Sequence, residues 1–62
     1  PIGLEMAEWE LTYQAEPPFA PAGSPNGILR EISWRFVVQV YGQEGAAKRW
    51  PKVAERMKTG EG

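Results

Sequence analysis

Between Ile32 and Tyr41 the chain sets Ile32, Trp34, Phe36, Val38 and Val40 at every second position, with Ser33, Arg35, Val37, Gln39 and Tyr41 between them. A strand sends alternate side chains to opposite faces, whereas a helix turns each residue by about 100°. Wound as a helix, this segment would hold Trp34 and Val38 about 200° from Ile32 and Phe36, and its apolar surface would wrap every side. The β-branched content also favours a strand. The spacing therefore predicts a strand that Gly42 ends, with Trp34 and Phe36 on its inward face. Val37 and Tyr41 make the other face partly apolar, which predicts cover on both sides or a contact patch.

Such a strand needs a neighbour. Trp9, Leu11 and Tyr13 alternate with Glu8, Glu10, Thr12 and Gln14, the pattern of an antiparallel partner with a polar outer face. Met6, Trp9 and Tyr13 also satisfy the i, i+3, i+7 spacing of a helix, so a short N-terminal helix is the alternative. Between the two segments, Ala15 to Gly27 holds Pro17, Pro18, Pro21 and Pro25 together with Gly23 and Gly27. It reads as a Pro-rich connecting loop, closed by the turn dipeptide Asn26-Gly27. Phe19, its one large apolar residue, is expected to pin the loop to the core. Pro18-Phe19-Ala20-Pro21 matches a PxxP pattern, but no basic residue stands beside it and a proline-laden loop generates such a match by itself.

After Gly42, Ala46, Ala47, Trp50, Val53, Ala54 and Met57 recur at helical spacing, with Lys48, Lys52 and Arg56 on another face. Proline is tolerated at the first helical position and disfavoured in an interior, so a C-terminal amphipathic helix is expected from Pro51 to Lys58. Residues 44 to 50 read either as a preceding helical turn or as a third short strand, Ala46 to Trp50. The expected fold class is α+β: a small antiparallel β-sheet of two strands, with room for a third, joined by the Pro-rich loop and completed by one C-terminal helix. Residues 6 to 62 read as a single small domain, and Pro1 to Glu5 as an expression remnant ahead of a natural start at Met6.

Composition narrows function mainly by exclusion. The 62 residues contain no His, Cys or Asp, which removes the commonest general base, the thiolate nucleophile and the usual zinc ligands. No catalytic, cofactor-binding or metal-ligating residue is assigned, and no enzyme activity is expected. A net charge of −1 supplies no general attraction to nucleic acid or acidic lipid. No apolar run approaches the roughly 20 residues of a membrane span, and with no targeting pattern the expected location is the cytoplasm. A domain this short buries only about 60% of the surface of its unfolded chain. With disulfides and metals absent, oligomerisation or docking onto a partner is the remaining staple.

Charge divides along the chain. Residues 1 to 26 carry Glu5, Glu8, Glu10 and Glu16 and no base, whereas residues 27 to 62 carry seven bases against four acids. The function expected is a small non-catalytic protein-binding module: an adaptor, an inhibitor or a small subunit of a larger assembly. Its contact residues are expected to be Arg35, Val37 and Tyr41 on the outward side of the second strand, with Trp50 at the margin, since aromatic and Arg residues dominate interface energetics. The alternative is a nucleic-acid-binding domain using Lys48, Arg49, Lys52 and Arg56. Around Trp34-Arg35-Phe36-Val37-Val38 and Lys48-Arg49, a sheet-plus-helix layout resembles the small DNA-binding domains at the start of tyrosine integrases. That resemblance covers about a third of the chain and implies phosphate contacts from the basic segment; the acidic first half and a pI near 5.3 oppose it.

Overall fold

The computed structural model describes residues 3 to 58 and forms three α-helices: α1 (Leu4–Tyr13), α2 (Pro25–Arg49) and α3 (Pro51–Lys58). Among the described residues there is no strand, so the expected α+β class and its antiparallel sheet are corrected to an all-helical fold. Residues 32 to 41 lie inside α2, where Arg35 and Gln39 interrupt the apolar surface and are exposed. Trp34 and Val37 are buried, Phe36, Val38 and Tyr41 are half-buried, and Ile32 and Val40 are exposed. The alternation arises because one helix carries two apolar faces, a circumstance the period-two reading attributes to a strand.

Of the three residues that suggested a strand in α1, Leu11 alone faces the core. Ala7 and Leu11 are fully buried and Gln14 nearly so, whereas Trp9 and Tyr13 are largely exposed. The i, i+4, i+7 set turns inward and the aromatic set turns out. Leu4 and Glu5 belong to the first turn of α1, where Leu4 packs against the core.

The start of α2 follows from local chemistry. Ser24 is its N-cap, with Oγ accepting from the Gly27 N–H at 3.1 Å, and Pro25 opens the helix where its missing N–H costs nothing. Asn26-Gly27 therefore sits in the first helical turn, not in a hairpin turn. Gly42, at φ 77° and ψ 162°, breaks α2 into arms spanning 25 to 41 and 43 to 49, a backbone conformation open essentially to glycine alone. The second arm replaces the third strand considered for residues 46 to 50. Trp50 leaves the helical region (φ −131°, ψ 70°) as the residue preceding a proline tends to do, and Pro51 begins α3. The expected span of α3 is observed.

α1 runs antiparallel to the first arm of α2. Gln14 Nε2 donates to the Asn26 carbonyl at 2.8 Å at one end of the pair, and Tyr41 donates its hydroxyl to Glu8 toward the other. α3 folds back against α2, and Ala7, Leu11, Trp34, Val37, Ala46, Trp50 and Val53 form the core. The connection from α1 to α2 is tied down by the helices: fully buried Arg30 donates Nη1–H to the Ala20 carbonyl at 2.8 Å. Phe19 pins the loop from the other side, its ring 4.6 Å from the Arg56 guanidinium.

Candidate functional site

The residues expected to bind a protein do not share a surface. Arg35 is exposed and forms an i, i+4 ion pair with Glu31 at 2.9 Å, worth about 0.3 to 0.5 kcal/mol at such a position. Val37 has no exposed surface and Trp50 is 9% exposed, so both are core. The outward strand face that was to unite Arg35, Val37 and Tyr41 is absent with the strand itself.

Tyr41 and Trp50 instead tie α1 to the α2–α3 elbow. Trp50 Nε1–H donates to Thr12 Oγ1 at 3.1 Å, and the Thr12 hydroxyl in turn donates to the Glu8 carbonyl at 2.9 Å. Tyr41 bonds the Glu8 carboxylate, its ring tilted 53° to that of Trp50 at 6.2 Å between centroids. The Arg49 guanidinium caps the Tyr41 ring at 4.0 Å. The hydrogen bond to Glu8 raises the Tyr41 pKa above its ordinary value; burial and the Glu8 charge act in the same direction, and Arg49 opposes them.

Of the four residues expected for nucleic acid, Lys48, Arg49 and Lys52 are exposed near the α2–α3 junction, while Arg56 is half-buried over Phe19. A shallow pocket of about 260 Å³ between Thr12, Ala15, Arg49, Trp50, Pro51 and Lys52 sits beside them. Glu8, bonded to Tyr41 under the Arg49 guanidinium, sets an acid against this basic edge. Among the described residues no group of three or more acids gathers closely enough to hold a metal ion, and no helix is long and apolar enough to cross a membrane.

The exposed apolar surface lies elsewhere. With Ala7, Leu11 and Gln14 directed at α2, a turn of about 100° per residue sends Met6 and Tyr13 to one flank of α1 and Glu8 and Thr12 to the other. In an antiparallel pair, corresponding flanks lie on the same side. Glu8 and Thr12 share theirs with Tyr41 and Trp50, the side on which α3 packs. The opposite side of the α1–α2 hairpin carries Met6 and Tyr13 with Ile32, Phe36 and Val40. Trp9 and Ile28 stand on its outer ridges.

Six of these residues, Met6, Trp9, Tyr13, Ile28, Ile32 and Val40, are 46 to 66% exposed. Trp9 and Tyr13 stack with centroids 5.4 Å apart and planes 4° from parallel. The sequence pattern marks Met6, Trp9 and Tyr13 as the stripe of an alternative N-terminal helix but does not say which way that stripe faces. The signal that finds the face is the pair of smaller residues, Ala7 and Leu11, which supply a competing inward stripe on the same helix. Comparison with protein-family models, with curated protein sequences and with solved structures found no match for this chain, whose functional reading therefore rests on its own residues.

Proposed function

We propose that this chain is a non-catalytic protein-binding module whose contact surface is the side of the α1–α2 hairpin opposite α3. The carrying observation is the exposed, parallel-stacked Trp9–Tyr13 pair, continued by Met6 and by Ile28, Ile32 and Val40. Large aromatic side chains left in water are the usual anchors of protein interfaces, because they bring much apolar area at little conformational cost. The composition supports the same reading, since the chain lacks His and Cys and with them the most frequent catalytic groups. A cytoplasmic setting belongs to this proposal and fits a cysteine-free chain.

Nucleic-acid binding through Lys48, Arg49, Lys52 and Arg56 is the second reading, favoured by the five bases against two acids in residues 43 to 58. It ranks below the first because Arg49 and Arg56 are already engaged with Tyr41 and Phe19. The two separate by photo-crosslinking in the native host. A benzophenone amino acid in place of Trp9 should capture protein, and the same group in place of Lys48 should not. Crosslinks to nucleic acid from position 48, with none to protein from position 9, would overturn the proposal.

A further inference from the structure

We infer that the partner seated on this face is a second copy of the same chain, forming a two-fold dimer in which α1 of one copy lies across α2 of the other. This rests on the protein-binding reading above and names its occupant.

The first observation is α2 itself. A helix with apolar residues on two faces needs cover on both, yet Ile28, Ile32 and Val40 stand in water on the side away from Trp34 and Val37. The stripe Ile28, Ile32, Phe36, Val40 repeats at i, i+4, i+8, i+12 and contains no charge. A helical hairpin with such a stripe is half of a four-helix arrangement.

The second observation is area. The six residues are 46 to 66% exposed, and two aromatics of ~150 to 250 Å² each are among them, a large share of the ~800 Å² that each partner contributes to a stable interface.

The third is self-complementarity, which a two-fold interface demands because both copies use the same patch. The hairpin carries a knob, the Trp9–Tyr13 stack on α1, and a hole on α2: a shallow groove of about 260 Å³ lined by Ile32, Arg35, Phe36 and Gln39. One aromatic side chain fills a groove of that size, and Arg35 at its lip suits an aromatic face. Charge sets the pairing. Glu5 and Glu10 flank the aromatic stripe of α1, so α1 against α1 would oppose like charges, whereas α1 against α2 sets those acids beside the Arg35–Glu31 ion pair, whose charges balance. A net charge of −1 per chain leaves little repulsion between copies. The acidic flanks also disfavour an anionic membrane surface as the occupant.

Sedimentation equilibrium of the full chain from about 1 to about 500 µM tests the inference. The wild-type mass should rise to twice 6.9 kDa within that range. Tyr13→Glu and Ile32→Glu should each weaken pairing at least about 100-fold by forcing a carboxylate into the interface, while far-ultraviolet circular dichroism shows the helices intact. Lys52→Glu, across the molecule, should pair like wild type. A wild-type chain that stays at 6.9 kDa throughout, or a dimer indifferent to both face variants, or one broken by Lys52→Glu alone, would overturn it. Should the chain be monomeric while position 9 still crosslinks a different protein, self-pairing fails and the protein-binding reading survives. A monomer with no crosslink from position 9 ends both.

Discussion

Replacing Gly27 by alanine should destabilise the fold, although helix propensity argues for the opposite sign. Gly27 lies in the first turn of α2 with an ordinary negative φ, where alanine is favoured over glycine by about 1 kcal/mol. A β-carbon there would press into the Pro21 carbonyl oxygen and come within 2.7 Å of the Ala22 carbonyl oxygen. Both obstacles are backbone, so the loop must retreat. Retreat strains three links at once: the Gly27 N–H to Ser24 Oγ cap, the Ser24 Oγ–H to Pro21 carbonyl bond at 2.6 Å, and the Arg30 bond to the Ala20 carbonyl. Losing a cap costs about 0.5 to 2 kcal/mol, and a hydrogen bond from a charged donor about 1.5 to 3 kcal/mol. After the propensity gain, a net loss of about 1 to 4 kcal/mol is expected, against a total of roughly 3 to 9 kcal/mol for a chain of this length. Urea and thermal unfolding followed by circular dichroism, at one fixed protein concentration, would read this as a fall of about 4 to 8 °C per kcal/mol. Gly23→Ala is the control, because nothing lies within 4 Å of its β-carbon position and its φ is not positive, and it should be near neutral. If Gly27→Ala were as stable as the parent, the close approach of loop to helix would be refuted.

Gly42→Ala should cost about 1 to 3 kcal/mol through backbone strain alone, since nothing lies within 4 Å of its β-carbon position; a synthetic chain carrying D-alanine at position 42 should recover that loss in thermal melts. In Tyr13→Phe, which leaves Tyr41 as the one tyrosine, the spectroscopic tyrosinate transition should lie above the ordinary value near 10, and Glu8→Gln should lower it. Because the folded-state pKa is the raised one, the Tyr41–Glu8 link contributes stability at pH values below about 10 and loses it as pH climbs through the folded-state value. Trp50→Phe and Thr12→Val should each cost about 1 kcal/mol in urea unfolding, and the double variant should cost clearly less than their sum, since both remove the same hydrogen bond.

The parts of the fold legible in the sequence were those fixed by local chemistry. Pro51 after a non-helical Trp50 marks α3 because proline constrains both its own φ and the residue before it. Phe19 was expected to pin the loop to the core; its contact is instead the Arg56 guanidinium. Ser24-Pro25 is an N-cap followed by an N1 proline and was legible in principle; it was masked by Asn26-Gly27, which has the stronger turn signature. The central error came from residues 32 to 41, where periodicity reports which residues are apolar and not which neighbour covers them. Ile32 and Val40 were assigned to the core alongside Trp34, whereas one helix carries Trp34 and Val37 inward and Ile32 and Val40 outward. The same blindness hid the candidate surface: aromatic size marks Trp9 and Tyr13 as important but does not say on which side of α1 the chain will close.

The chain order of the packing has a kinetic consequence. α1 and α3 both lie chiefly against α2, the helix next to each in sequence; α3 follows α2 across the single residue Trp50 and residues 14 to 24 join α1 to α2, so modest loop entropy precedes the first rewarding contacts. Folding should therefore run in microseconds to milliseconds, against a limit of roughly 0.6 µs for this length. The contacts that span most sequence, Tyr41 with Glu8 and Trp50 with Thr12, join elements that neighbouring packing has already brought close, and should form late. Substitutions there are expected to accelerate unfolding and leave the refolding rate nearly untouched.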